Sequence, residues 1–236
     1  MSNCLENSII SQLSKTSYTF LKPHLRLLNL EKGEVLFEPS QPIHYYYFPV
    51  SCALELSVDL EDGKSGATTV INMNSMYPLH LVGQTESQNR ATVLCSGACY
   101  RIPVWAIHEE LRRSPSLLWI LLQESVRLFE LATLESVCLR HHTLEQITAK
   151  LILMSMDNTQ SSAVQLTHQE MANSIGARRE GVTIALNKLK TKNFIATHRG
   201  GIAVLDRDGL EHCACKCYKN HGQVRQNSPP RNHVVI

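Results

Sequence analysis

The sequence lacks any apolar run long enough to cross a membrane. Its longest strictly apolar stretch, Leu117–Leu122, is far shorter than the roughly 20 residues that a membrane-spanning helix needs. The first residues also lack the basic region and the following apolar region of a secretion signal. We therefore expect a cytoplasmic chain with no membrane partner.

Motifs of common enzyme classes are missing as well. The sequence has no G-x-S-x-G nucleophile elbow, no phosphate-binding G-x-x-x-x-G-K-[ST] loop and no H-E-x-x-H metalloprotease motif. It also has no paired carboxylates in the pattern of a polar cleft. These absences predict that the chain is not an enzyme and has no catalytic residue.

The eight cysteines form no CxxC pair and show no histidine spacing typical of a zinc site, so we predict no metal site. A disulfide framework does not suit so long a chain in a reducing compartment. Three cysteines lie in apolar strand patterns and are predicted to be small core residues: Cys52, Cys95 and Cys99. Cys213, Cys215 and Cys217 alternate, so in an extended segment all three would point the same way. We interpret them as structural, with a soft metal or a redox role as the alternative.

Charge is unevenly spread along the chain. The formal net charge is +2, yet residues 143–236 hold 12 Lys and Arg against 7 Asp and Glu. The first 142 residues are therefore net negative. Attraction to a polyanion would act mainly on the C-terminal part.

The segment from about Lys32 to Pro103 consists of short β-branched and aromatic stretches separated by turn signals. The predicted strands are Val35–Phe37, Ile43–Phe48, Ala53–Leu60, Ala67–Met73 and Ala91–Ile102, the last interrupted by a turn at Ser96-Gly97. Asp62-Gly63 predicts a hairpin turn. Short helices are predicted around Ile9–Leu13 and Val104–Arg113. Many short strands at this spacing predict a small barrel or sandwich.

From Pro115 the pattern becomes helical, and no glycine or proline follows until Gly176. Two apolar stripes follow this predicted helix. The first consists of Leu118, Leu122, Ser125, Phe129, Ala132 and Ser136, and the second of Leu121, Leu128, Leu131 and Leu134. One stripe can cover the barrel, whereas the other predicts a homodimer across a two-fold axis. The predicted interface is Leu118, Leu122, Ser125, Phe129 and Ala132. Packing of both stripes inside one monomer is the alternative.

Residues 166–190 carry the signals of two short helices joined by a tight turn. Thr167 and Glu170 are spaced as a capping box, and Gly176 can adopt the left-handed conformation that ends a helix. Val182, Leu186 and Leu189 supply the inner face of the second helix, which Asn193 can close. Phe194–Thr197 and Ile202–Leu205 predict a hairpin, or wing, with a basic tip. The pattern is that of a winged helix-turn-helix.

Charge separates this interpretation from an ordinary helical hairpin with a solvated face. Residues 166–201 contain six basic side chains and only two acidic ones, Glu170 and Glu180. The basic residues are Arg178, Arg179, Lys188, Lys190, Lys192 and Arg199. Two arginines at the start of the second helix lie where guanine edges are read.

As a set, these features resemble the Crp–Fnr superfamily of transcription regulators over nearly all of residues 25–217. The resemblance is carried by Lys32–Phe37, Tyr45–Phe48, Leu60–Gly63, Asn89–Thr92, the long helix and the helix-turn-helix through Leu205–Leu210. Gly176–Thr183 is similar to a subgroup without an assigned cyclic nucleotide. The implied fold is α+β, with an N-terminal cyclic-nucleotide-binding-like β-roll (1–114), a long dimerisation helix and hinge (115–142), a C-terminal winged helix-turn-helix (143–221) and a flexible tail (222–236).

The resemblance also implies roles for single residues. Arg179 and Glu180 correspond to the family's base-reading pair, with Arg178 and Thr183 as neighbouring DNA-binding candidates. The implied backbone and wing contacts are Thr167, His168, Gln169, His198 and Arg199. Ile184 replaces the family's third base-reading residue, an arginine, so the operator is expected to differ from the common consensus. Arg178 replaces a capping serine and Gly181 weakens the helix start, so DNA is expected to help order this end.

The sensing half departs from relatives that bind cyclic AMP. Those proteins hold the nucleotide with a Gly-Glu pair ten residues before an arginine. Here Arg90 is present, but Leu79-His80 takes the place of the pair. We therefore expect no cyclic AMP and no cofactor, and Arg90 is a weak candidate for another effector. Only Cys4 lies in the first 50 residues, which excludes the N-terminal cluster of the iron–sulfur sensors. A haem is the alternative cofactor, with His24, His44 or His80 as its candidate ligand.

The sequence thus predicts a sequence-specific regulator that binds palindromic double-stranded DNA as a homodimer, gated by an unidentified effector in the β-roll. The family's function implies RNA polymerase as a further partner. The alternative is an effector-binding β-roll protein that acts through protein partners, with a weak or vestigial DNA-binding domain. Basic residues on both the second helix and the wing favour the first interpretation.

Overall fold

The computed structural model describes residues 7–59, 61, 65–79, 85–159, 163–198 and 201–220. By their internal contacts these residues form two compact units. The first holds residues 7–59 and 69–129; the second holds 61, 65–68 and the described residues from 130 to 220. Several features predicted from the sequence lie outside the described residues: Cys4, the Asp62-Gly63 turn, His80, Arg199 and the tail from Gly222.

The chain has the predicted α+β composition, with a β-rich N-terminal region, a long helix and a C-terminal helix-turn-helix. The helices are α1 (Ser8–Gln12), α2 (Lys15–Leu21), α3 (Val104–Arg113), α4 (Pro115–His141), α5 (Leu144–Thr159), α6 (His168–Ile175), α7 (Arg179–Thr191) and α8 (Arg207–Cys213). The strands are β1 (Arg26–Leu30), β2 (Val35–Phe37), β3 (Tyr45–Pro49), β4 (Ala53–Asp59), β5 (Ser65–Ile71), β6 (Arg90–Cys95), β7 (Gly97–Pro103), β8 (Ala163–Val164), β9 (Ile195–His198) and β10 (Gly201–Val204). No helix in the described ranges is long and apolar enough to span a membrane.

The N-terminal strands form two antiparallel sheets. Their spatial orders are β1-β7-β3 and β2-β6-β4-β5. Strand β2 and helix α3 coincide with the predicted residues, whereas β1 and α2 are not predicted from the sequence. Strand β1 has a mostly exposed burial pattern, so its sequence lacks a clear alternation, and its pairing with β7 defines it. Helix α2 has only seven residues and begins at a Ser14 cap.

Two groups of buried side chains hold the first unit together. One packs α1 to α3 and the start of α4 against β3 and β7, with Tyr46, Ile102 and Leu121 at its centre. The other fills the space between the sheets, where Cys52 and Cys99 are buried as predicted. Cys95 is only half-buried, so the prediction of a core position is wrong for that residue.

The two stripes of α4 have different surroundings. In the second stripe, Leu121 and Leu131 are buried and Leu128 packs against the inter-sheet core. In the first stripe, the side chain of Leu122 is 44% exposed and that of Phe129 is 73% exposed. Ser125 donates its hydroxyl hydrogen bond to the carbonyl of Leu121 in its own helix. The first stripe is therefore largely uncovered in the described chain, and its packing in a homodimer stays a prediction.

In the second unit, α5 is the central helix, with buried residues Ile147, Ala149, Ile152 and Leu153. Helices α6, α7 and α8 all contact it. A small antiparallel sheet of order β8-β10-β9 completes the unit. The arrangement leaves the outer faces of α6 and α7 free for a ligand.

Candidate nucleic-acid interface

The start of α6 is fixed by the predicted capping box. The backbone amide of Glu170 donates to Thr167 Oγ1 at 3.1 Å, and the amide of Thr167 donates to Glu170 Oε2 at 2.6 Å. Two amides that a helix start would otherwise leave without acceptors are thus satisfied by side chains. The cap sets the position of His168 and Gln169, the first residues of the helix.

The turn between α6 and α7 depends on Gly176. This residue has φ 63° and ψ 32°, a left-handed conformation that costs glycine little. The following amide, of Ala177, donates to the carbonyl of Ala172 at 2.9 Å, which closes the helix end. The chain can therefore reverse within a few residues and present the start of α7 beside the start of α6.

Helix α7 begins without a side-chain cap. Arg178 holds the N-cap position in an extended conformation, and its side chain makes no capping hydrogen bond. Arg178, Arg179 and Glu180 are all exposed. Among the described residues, no carboxylate pairs with either arginine. Their charges therefore remain available to a polyanion.

Thr183 links the two helices on their outer side. Its hydroxyl donates to the carbonyl of Arg179 at 3.0 Å and lies 2.9 Å from His168 Nδ1. Because the hydroxyl has only one proton and donates it to Arg179, His168 Nδ1 is the donor in the second hydrogen bond and Thr183 Oγ1 accepts it. The bond holds the imidazole of α6 against the first turn of α7.

The inner face of α7 is buried as predicted, through Val182, Leu186 and Leu189. Gly181 has a packing role that its helix propensity does not show. A Cβ atom at this position would lie 2.8 Å from Leu144 Cδ2, so the absence of a side chain lets α5 approach α7 closely. The expectation that Gly181 only weakens the helix start is therefore incomplete.

Two of the six basic residues counted in the sequence are engaged at the far end of α7. Lys192 Nζ lies 2.5 Å from Glu145 Oε1, and Lys188 Nζ lies 3.9 Å from Glu145 Oε2. The Lys192 hydrogen bond holds the pKa of Glu145 below its ordinary value. Asn193 ends the helix with a positive φ of 59°. These contacts fix α7 to α5 and compensate two of the lysines at this end of the helix.

The wing is a hairpin of β9 and β10, in which His198 pairs with Gly201. A Cβ atom at Gly201 would lie 2.3 Å from the imidazole of His198, so glycine is required for the ring to lie across the strand. His198 is exposed.

An open groove brings five of the predicted DNA-binding residues together. It is lined by Leu166, Thr167, His168, Gln169, Arg179, His198, Gly201 and Ile202. Arg178, Glu180 and Thr183 are outside this lining but lie on the adjoining turn of α7. The side chain of Ile184 is 59% exposed one turn further along. The guanidinium of Arg179, the imidazoles of His168 and His198 and the amide of Gln169 line this groove. Such groups can form hydrogen bonds to phosphates and to the edges of bases.

Arg90, the candidate for effector binding, has a different environment. Its Nε atom lies 2.9 Å from Glu38 Oε2, and its Nη2 atom lies 3.1 Å from Asp59 Oδ2. Two carboxylates thus occupy the guanidinium face that a cyclic phosphate would need.

The prediction for the C-terminal cysteines is wrong in its geometry. Cys213 is the last residue of α8 and faces Glu145 and Lys192. Cys215 and Cys217 are buried and lie beside Cys138 and His142. Sequence spacing missed this group, although His142 follows directly after α4 and its amide donates to the carbonyl of Cys138, which places the two side chains one turn apart.

Comparison with known proteins agrees with this description. Residues 146–213 match the family model of the Crp-like helix-turn-helix domain. The chain is 24% identical to the global nitrogen regulator of Synechococcus elongatus over 211 residues, which cover 85% of this chain and 94% of that protein. The matched proteins are regulators, which supports the prediction that the chain is not an enzyme.

Solved structures share the fold. A transcriptional regulator of the Crp/Fnr family from Eubacterium rectale has a TM-score of 0.71 and 16% identity, covering 88% of this chain and 98% of that one. A Crp/Fnr-family regulator from Thermus thermophilus has a TM-score of 0.69 and 21% identity, covering 80% and 98%. Together with the match of residues 146–213 to the Crp-like helix-turn-helix domain and the likeness to the global nitrogen regulator, this fold supports a DNA-binding transcription regulator of the Crp–Fnr superfamily.

Proposed function

We propose that this regulator acts as a homodimer and reads a palindromic double-stranded DNA site with α7. The observation that carries the proposal is the groove in which Thr167, His168, Gln169, Arg179 and His198 meet. Arg178 and Arg179 are exposed beside it with no carboxylate partner among the described residues. Two uncompensated arginines at a helix start favour an active DNA-binding domain over a vestigial one.

The dimer is supported by the exposed stripe of α4. Leu118, Leu122 and Phe129 lie on one face of the helix, and all three are exposed large apolar residues. Continuous apolar surface of this kind is typical of an interface. A homodimer carries two copies of α7, which would read half-sites about 34 Å apart, one turn of DNA.

The β-roll is proposed to receive an effector other than cyclic AMP, since Glu38 and Asp59 already hold Arg90. A carboxylate pair repels a phosphate and neutralises the guanidinium that would bind it. We also propose that the protein acts in the cytoplasm, where its binding to DNA would regulate transcription by RNA polymerase.

The test is selection of duplexes from a random library by the full chain, followed by gel-shift titration at several salt concentrations. We expect an enriched palindrome that binds at least about 10³-fold more tightly than scrambled DNA. The double variant Arg178→Gln/Arg179→Gln should lose most of this preference. The control, Arg140→Gln/Lys219→Gln, removes the same charge from exposed residues outside the groove and should keep it. An unenriched library would favour the protein-partner alternative.

A further inference from the structure

Four metal-ligating side chains of the second unit converge on one point. They are Cys138, His142, Cys215 and Cys217, and their ligand atoms all lie within 4.8 Å of one another. Cys138 lies in the last turn of α4 and His142 directly follows that helix, whereas Cys215 and Cys217 follow α8. The three cysteines are buried and the histidine is half-buried. Such a group is well placed to bind an ion out of contact with bulk water.

The distances fit a tetrahedral centre. Bond lengths of about 2.3 Å to sulfur and about 2.0 Å to nitrogen imply ligand separations of roughly 3.8 Å between two sulfurs and roughly 3.5 Å between sulfur and nitrogen. The Sγ atoms of Cys138 and Cys215 are 3.5 Å apart, and Cys217 Sγ lies 3.8 Å from His142 Nδ1. Small adjustments of side-chain torsions would therefore complete the coordination.

A buried lysine next to the cluster donates a hydrogen bond to one of its sulfurs. Three thiolates and a neutral imidazole around a divalent ion give a net charge of −1. Lys150 is 1% exposed, and its Nζ atom lies 3.2 Å from Cys138 Sγ and 2.5 Å from Glu135 Oε2. A positive charge in contact with a ligand sulfur stabilises the thiolate in a site largely removed from water.

We propose that Cys138, His142, Cys215 and Cys217 form a structural zinc site. A ligand set of three cysteines and one histidine with no open position is the usual composition of such sites. The ion would join the end of α4 to the segment after α8 and so fix the C-terminal part of the second unit to the hinge. Cys213 takes no part, because its sulfur faces Glu145 and Lys192.

The first experiment measures zinc by mass spectrometry in the purified, tag-free full chain. We expect about one zinc ion per chain in the wild type. Cys215→Ser should lose most of it, whereas the control Cys213→Ser, two residues away, should retain it. Equal zinc in both variants would overturn the proposal, as would a wild type without zinc.

A second measurement does not depend on a variant that folds. Protein produced with cobalt in place of zinc should show a thiolate-to-cobalt charge-transfer band and the strong visible bands of a tetrahedral ion. Cobalt bound without these bands would overturn the assignment. Mass spectrometry of peptides would also overturn it by finding a Cys138–Cys215 disulfide in the metal-free wild type, since the pair would then be a redox couple.

Discussion

Arginines in the two units of this regulator have opposite environments. In the β-rich unit, Arg90 is held by Glu38 and Asp59 at 2.9 and 3.1 Å. In the winged unit, Arg178 and Arg179 are exposed at the start of α7, and no described carboxylate pairs with them. The first arginine is compensated within its own unit, whereas the other two leave their charge to an outside partner.

This difference shows why the two halves are unequally informative about function. An exposed cation at a helix start is repelled by the positive end of the helix dipole, and binding of an anion relieves that repulsion. An arginine already paired with two carboxylates has no such need. The charged face of the winged unit therefore identifies a polyanionic ligand, and the β-roll identifies no anionic effector.

The largest effect is expected from the dimer helix. Leu122→Lys/Phe129→Lys places two charges on the exposed stripe and should give monomers in analytical ultracentrifugation. Without a linked second α7, operator affinity should fall about 10²–10⁴-fold. Such a loss would show that tight binding to the operator needs the arginines of both protomers.

A matched control is Val137→Lys, which adds a charge at another exposed apolar position of α4. This residue lies roughly 80° around the helix from Phe129, so the variant should remain a dimer. If the Leu122→Lys/Phe129→Lys variant remained a dimer, this face of α4 would be excluded as the interface.

The next effect concerns base reading by Arg179. Arg179→Ala should cost about 1–3 kcal/mol of discrimination per half-site, because bidentate pairing with guanine is lost. Arg199→Ala, predicted from the sequence to remove a phosphate contact, should weaken operator and scrambled DNA alike and reduce the log–log salt slope. Gel-shift titrations with both duplexes at several salt concentrations distinguish the two. Equal losses from Arg179→Ala on both duplexes would make it a phosphate contact.

A smaller effect is expected at Arg178, which occupies the N-cap position of α7 but makes no capping hydrogen bond. Arg178→Ser should supply the missing acceptor and raise the free energy of unfolding by about 1 kcal/mol, while weakening DNA binding. Urea denaturation measures the first effect and gel shift the second. Thr167→Ala, which removes an existing cap, should change stability by a similar amount in the opposite direction. A destabilised Arg178→Ser variant would mean that the arginine itself stabilises the turn.

The smallest effect is expected from cyclic AMP. Isothermal titration calorimetry at millimolar nucleotide should give no saturable heat, because Arg90 is already paired and Leu79 stands where relatives have glycine. If cyclic AMP bound saturably and Arg90→Gln abolished the binding, Glu38 and Asp59 would have to release the guanidinium. Arg90 would then be available to an anion, as Arg178 and Arg179 are.

Local signals explain what could be predicted. The capping box of Thr167 and Glu170, the left-handed Gly176 and the buried face of α7 each depend on a few neighbouring residues. Their energetics are local, so the helix-turn-helix was predicted with nearly correct boundaries. Strand β1 and helix α2 escaped prediction because one has no clear alternation and the other is very short. Both are stabilised by contacts with distant residues.

Periodicity, caps and composition are properties of neighbouring residues, so they predicted most of the elements, the two-sided character of α4 and the surplus of positive charge near α7. Which of these charges remain available depends instead on the tertiary packing. It paired Arg90 with Glu38 and Asp59, and Lys192 with Glu145, while it left Arg178 and Arg179 exposed. It also brought Cys215 to within 3.5 Å of Cys138, a residue 77 positions earlier. Such proximity depends on how distant helices pack, and no local pattern encodes it.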